Sequence, residues 1–183
     1  SGRSPPLRPI TVAVTLALGL PAVSWADVAP DTLPSQAQVV AGHVQIQQHN
    51  AAMQIQQSSE KAIIDWQRFD IGKNAHVDFQ QPDAKAVALN RVQSNDASQI
   101  YGQLTANGQV YLVNPNGVLF APGSRVDVGG LVASTFNITD SNFLKGNSQF
   151  ERNGASGSIT NQGHIQVADG GQLVLLGATV SNQ

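Results

Sequence analysis

The chain has no cysteine in its 183 residues, so no disulfide can brace it and no thiolate can hold a metal. Two readings of that absence stand side by side. Either the core is large enough to need no staple, or the chain must thread a narrow pore that a disulfide-closed loop would block. Charge is also scarce. Asp, Glu, Lys and Arg make up 12% of the residues, where an average domain carries about 25%. The net charge is −2 and the basic residues form no cluster, which excludes a nucleic-acid partner held by an electrostatic field. Aromatics are only 5%, so the stacking platforms that favour glycan binding are few. No window of 12 or more residues carries a clean helical period, so helix content should be low. Catalytic motifs are missing too. His43, His49, His76 and His164 lie apart, without His-Glu-x-x-His or Gly-x-Ser-x-Gly. Asp78, Asp127, Arg91 and Arg125 are the one set that could meet on a face, as in a polysaccharide lyase, and charges on strands are usually just a solvated surface. The sequence therefore reads as a non-enzyme, and no cofactor is expected. Asn137-Ile138-Thr139 fits a glycosylation sequon only as a pattern.

What is present is the vocabulary of β structure. There are 17 glycines and many Gln, Asn, Ser and Thr. Short alternating or apolar runs, among them "HVQIQ", "AMQIQQ", "AIIDW", "AVALNRV", "QVYLV", "GVLF", "HIQV" and "QLVLL", are separated by Gly, Asn, Asp or Pro. Self-similarity appears as well. "ITNQ" at residues 159–162 recurs as "VSNQ" at 180–183, a step of 21 residues, and "GQVYLV" recurs as "GQLVLL". A period near 21 with several short strands in each turn predicts a right-handed parallel β-helix, all-β and pectin-lyase-like, rather than an antiparallel sandwich or jelly roll. At that period the chain should form roughly seven coils. The polar stretch "HVQIQQHNAAMQIQQ" should form an N-terminal β cap. No closing cap is written before Gln183, so further coils are expected beyond it.

The first residues read as a targeting segment. Arg3 and Arg8 precede an apolar run of 11 residues ending at Leu20. Pro21 follows, and Ser24 and Ala26 put small residues at a cleavage site. The run is shorter than the ~20 residues a membrane span needs. Residues 1–26 are expected to be a secretory signal peptide cut after Ala26, and 27–183 one domain belonging to a longer precursor.

Asn114, Pro115, Asn116 and Gly117 interrupt two apolar runs. Proline presets φ at the second position of a β-turn, Asn tolerates the third, Gly suits the fourth, and the first Asn can close an Asx-turn. On chemistry alone this is a turn between strands.

The blocks "AIIDWQRFDIGKNAHVDFQQPD", "ALNRVQSND", "IYGQLTANGQVYLVNPNGVLF", "VDVGGLVAST" and "GSITNQGHI", in that order, resemble the TPS domain. This is the N-terminal secretion domain of TpsA exoproteins in two-partner secretion, of the filamentous-haemagglutinin and high-molecular-weight adhesin type. The resemblance spans nearly the whole chain after the signal segment. It implies a right-handed parallel β-helix recognised in the periplasm by the POTRA domains of a TpsB outer-membrane barrel. The chain would then pass through that barrel and fold at the surface of a Gram-negative-type bacterium. The signal peptide would bring it there through the Sec machinery. The missing C-terminal part would engage a host surface or a polysaccharide. Two family motifs are tied to secretion. Asn-Pro-Asn-Gly is carried by Asn114, Pro115, Asn116 and Gly117. The other, Asn-Pro-Asn-Leu, is absent, and its place is taken by Asn90, Arg91, Ser94 and Asn95. A glycan-binding β-helix in its own right is the alternative reading.

Overall fold

The computed structural model describes residues 28–183. The expected signal peptide, with its cleavage point at Ala26, lies outside the described residues. From Gln38 onward the chain winds as a parallel β-solenoid of five turns. β1 (Gln38–Ala41) and β2 (Val44–His49) precede the first coil, which holds β3 (Ala52–Gln57) and β4 (Lys61–Trp66). The second coil holds β5 (His76–Gln80), β6 (Val87–Val92) and β7 (Ser98–Ile100). The third holds β8 (Gln103–Ala106), β9 (Gln109–Val113) and β10 (Val118–Phe120). The fourth begins with β11 (Arg125–Val128) and β12 (Gly130–Ser134). It then leaves the solenoid through β13 (Asn137–Ile138), α1 (Asp140–Lys145) and β14 (Phe150–Glu151), and returns as β15 (Ser158–Asn161). β16 (His164–Val167), β17 (Leu173–Leu176) and β18 (Thr179–Asn182) form the fifth.

Three faces result. The first runs β2-β3-β5-β8-β11-β16, the second β1-β4-β6-β9-β12-β17, and the third β7-β10-β15-β18. Within the coils every strand pair is parallel, and the pairs that involve β1 and β2 are antiparallel. The predicted cap is therefore present, with "HVQIQ" and "AMQIQQ" forming a hairpin. The antiparallel sandwich is excluded.

The sequence repeats are register positions. Ile159 pairs with Val180, and Val110 pairs with Leu131, which pairs with Leu173. Each inner column is apolar. On the first face it is Met53, Val77, Leu104, Val126 and Ile165. No coil could bury these side chains alone, so stacking makes the core. Trp66 and Phe69 plug the first coil edge to face, with ring centroids 5.5 Å apart.

There are five coils where the repeat predicts about seven. Only some steps have the 21-residue length. Asn161 and Asn182 bond across 21 residues, but Trp66 and Asn90 across 24, and Gln81 and Asn107 across 26. The fourth coil is lengthened further by its excursion. This excursion is the part that periodicity missed, because α1 has only six residues. Its ends are nevertheless written locally. Thr139 accepts the Asn142 amide at the N-cap, and Gly146 closes the C-terminus with φ 77°.

The excursion explains a second departure from a simple solenoid. The outward side of the second face is apolar at Ile63, Leu89 and Val113, and all three are buried. Ile138 and Phe143 of the excursion cover them, with Tyr111 meeting Phe143 edge to face at 5.8 Å. The consecutive apolar letters in "AIIDW" and "AVALNRV" reflect strands buried on both sides.

Candidate functional site

Asn114, Pro115, Asn116 and Gly117 form the corner between β9 and β10. The Gly117 amide donates to the Asn114 carbonyl at 3.0 Å, which closes a β-turn. The Asn116 amide donates to Asn114 Oδ1 at 3.0 Å, the expected Asx-turn. Gly117 has φ 118°, a region that disfavours any side chain. The four residues split by environment: Asn114 and Gly117 are buried, Pro115 and Asn116 exposed.

The turn does not stand alone. Asn114 Nδ2 donates to the Asp96 carbonyl at 2.9 Å and to Ser98 Oγ at 3.0 Å. Asn116 Nδ2 donates to the Ser94 carbonyl at 2.9 Å. The segment 94–98, one coil earlier, is thus stitched directly beneath. From the other side, the Gly157 amide donates to the Pro115 carbonyl at 3.2 Å. Gly157 must lack a side chain here, because a Cβ would lie 2.5 Å from the Pro115 carbonyl oxygen and the Gly117 amide nitrogen. One coil below, the Arg68 side chain pairs with Asp70 at 2.9 Å and Asp96 at 2.6 Å. The hydrogen bond from Asp70 holds the Arg68 guanidinium above its ordinary pKa. The corner is therefore a column of four coils, from Arg68 through 94–98 and 114–117 to Gly157.

The other predicted segment divides three ways. Asn90 points into the core, fully buried. Its Oδ1 accepts from the Trp66 indole at 2.9 Å, and its Nδ2 donates to the Tyr111 carbonyl at 3.2 Å. Arg91 points outward and bridges Asp65 at 3.0 Å and Asp140 at 2.5 Å, tying α1 to the second face. Ser94 and exposed Asn95 belong to the stacked corner. A groove of about 440 Å³ runs alongside, lined among others by Arg91, Gln93, Val113, Pro115 and Asn153.

The candidate lyase residues are not brought together as a set. Asp78, Arg125 and Asp127 sit on strands of the first face, and Arg91 on the second. Asp78 accepts from the Thr105 hydroxyl at 2.6 Å, and Thr105 contacts His76 Nε2 at 2.7 Å. Among the described residues no cluster of three His, Cys, Asp or Glu could hold a metal. In the sequon, Thr139 serves as the helix cap.

A five-turn parallel solenoid with a hairpin cap and a stitched polar corner defines a class: an all-β scaffold whose distinctive chemistry lies at a coil corner. The TPS secretion domain model matches residues 26–183, and the chain belongs to that family. It is 43% identical over 136 residues to a heme/hemopexin-binding protein of Haemophilus influenzae (strain ATCC 51907 / DSM 11121 / KW20 / Rd). A second H. influenzae protein of that name is 44% identical over 135 residues. Each match covers 73% of this chain but only 15% and 14% of the relatives, so the chain spans about one seventh of their length. The crystal structure of the HMW1 secretion domain from H. influenzae superposes with a TM-score of 0.79 at 36% identity. That match covers 82% of this chain and 41% of the other. The protein is a secretion domain of the TpsA exoprotein type, whose members are secreted or surface-exposed in Gram-negative bacteria and have a TpsB transporter as general partner. Its relatives are secretion domains and binding proteins, not enzymes.

Proposed function

We propose that the stacked corner is the element a TpsB transporter reads, through POTRA domains in the periplasm, after Sec export directed by residues 1–26. One observation carries this reading: the two segments singled out in the sequence, 90–95 and 114–117, meet at one corner through the side chains of Asn114 and Asn116. Within it, Asn114 and Gly117 build the shape, while Pro115, Asn116 and Asn95 present it. The module acts the same way whatever follows it, since similar domains front both HMW1 and the heme/hemopexin-binding proteins.

The physics of the fold suits passage as an open chain. Parallel pairing is non-local and slow, which keeps segments available to a partner. Extended strands can add to an exposed sheet edge of that partner. Once outside, each coil buries apolar surface on the one before it, at about 25 cal/mol per Å², and resists sliding back.

The test separates reading from shape. Pro115→Ala with Asn116→Ala should abolish or sharply reduce export, while the purified chain melts within about 1 kcal/mol of wild type, as expected for changes at exposed positions. Normal export of that variant would show that the corner is not what the transporter reads.

A further inference from the structure

The excursion, residues 136–157, covers two surfaces at once. Phe143 and Ile138 lie on the outward apolar column of the second face, built by Ile63, Leu89 and Val113. The returning segment lays Gly157 on Pro115, the top of the candidate corner. Both ends of α1 are clamped to earlier coils. Lys61 Nζ donates to the Phe143 and Leu144 carbonyls at 3.3 and 2.9 Å, and Arg91 holds Asp140 at the other end. Lys61 and Phe143 lie 82 residues apart. The strands β4, β6 and β9 can therefore all stack before the segment that covers them has been placed.

An outward solenoid face is normally solvated. Here it carries buried aliphatic side chains, so every state in which the excursion is open exposes a continuous apolar stripe beside the corner. Building on the transporter reading above, we propose that residues 136–157 are a closing strap. Until it shuts, the stripe of Ile63, Leu89, Tyr111 and Val113 is a docking surface for the apolar and strand-edge surface of the transporter's periplasmic domain. Closure displaces the transporter by occupying both the stripe and the top of the 114–117 turn. The strap thus competes with the partner for one surface, and release is coupled to completion of the fourth coil.

The experiment measures binding of purified chain to the soluble periplasmic part of the TpsB transporter that exports it. Four samples are compared: folded wild type, urea-unfolded wild type diluted into the assay, Phe143→Ala, and Lys61→Gln with Asp140→Ala. The last pair removes both clamps without deleting an apolar group, and serves if Phe143→Ala does not fold. Circular dichroism establishes that the variants keep the solenoid, and faster tryptic cleavage after exposed Lys145 reports an open strap. The expected result is that folded, strap-opened variants bind at least about tenfold more tightly than folded wild type, as a tenfold rise in the competent population dictates. Equal binding by folded wild type and opened variants overturns the strap. Binding of the unfolded chain alone, with neither folded form captured, also overturns it but leaves the transporter reading standing. Failure to bind any form, unfolded chain included, refutes the transporter reading itself and the strap with it.

Discussion

Replacing Asn114 with alanine isolates the structural share of the corner. The side chain is fully buried and makes three hydrogen bonds of 3.0 Å or less: to the Asp96 carbonyl, to Ser98 Oγ, and from the Asn116 amide. A net hydrogen bond contributes about 1 kcal/mol, and a buried group left unpaired costs about 1–3 kcal/mol. The three losses are unequal. Asp96 and Asn116 are exposed, so water can replace their missing partner, whereas Ser98 is buried and its hydroxyl is stranded. Water entering the vacated space recovers part of the cost. The expected destabilisation is therefore about 2–4 kcal/mol. Asn116→Ala removes mainly the bond to the Ser94 carbonyl at the surface and should cost about 0.5–1.5 kcal/mol. Urea melts of the purified chain, followed by circular dichroism, measure both. With a slope of about 1–3 kcal/mol per molar urea, the Asn114 change should move the midpoint by roughly 1 M or more. A loss below about 1 kcal/mol with an unchanged slope would refute the view that Asn114 holds the corner together. So would equal losses for the two asparagines.

Two further outcomes follow from the same column. Gly157→Ala forces a methyl against the backbone of the turn, where no flexible side chain can yield, and should destabilise by about 1–3 kcal/mol in the same melts; a neutral result would mean that the fourth coil does not rest on Pro115. Thr135 is the fourth-coil counterpart of Asn114, one step beyond the Ser134–Val113 pair, and its buried hydroxyl has no hydrogen-bond partner. Thr135→Val keeps the shape and removes the stranded group, so it should be neutral or stabilise by up to about 1 kcal/mol, and a loss above that would reveal a partner for the hydroxyl.

Much of this architecture is legible in the chain because stacking makes sequence repeats and spatial neighbours the same thing. "ITNQ" and "VSNQ" are partners in register, and their asparagines bond side chain to side chain at 2.8 Å. The coil number is not legible, because only corners of standard length preserve the period. Gln81 shows why. Its side chain fills the corner between β5 and β6, bonding Gln57, the Ala86 and Gln109 carbonyls and the Gly108 amide, so that a longer loop is tolerated without an unpaired polar group. The excursion escaped because a six-residue helix carries no readable period, even though Thr139, Asp140, Lys145 and Gly146 spell its ends. The inward direction of Asn90 was readable and was missed. It stands two residues from Ala88 and two from Val92, so strand alternation places it on the buried side with them.

That buried asparagine, with Asn114, bears on why polar side chains occupy an apolar column at all. On the second face, Ile64, Asn90, Leu112 and Ala133 align across successive strands. An aliphatic residue at position 90 would pack there too, and would also tolerate a strand slipped by one residue. With both sides of β6 apolar, Leu89 could turn inward almost as well as its neighbours, so hydrophobic pattern alone sets the register weakly. Asn90 removes the ambiguity. Only in the observed register does its amide meet the Trp66 indole and the Tyr111 carbonyl, and a slip would leave the indole unpaired in the core. Asn114 does the same at the end of β9, where a slip would strand Ser98. The strands that build the outward apolar stripe are thus the ones whose register the asparagines fix. The stripe can form early and stay aligned while it waits for a cover that arrives many residues later.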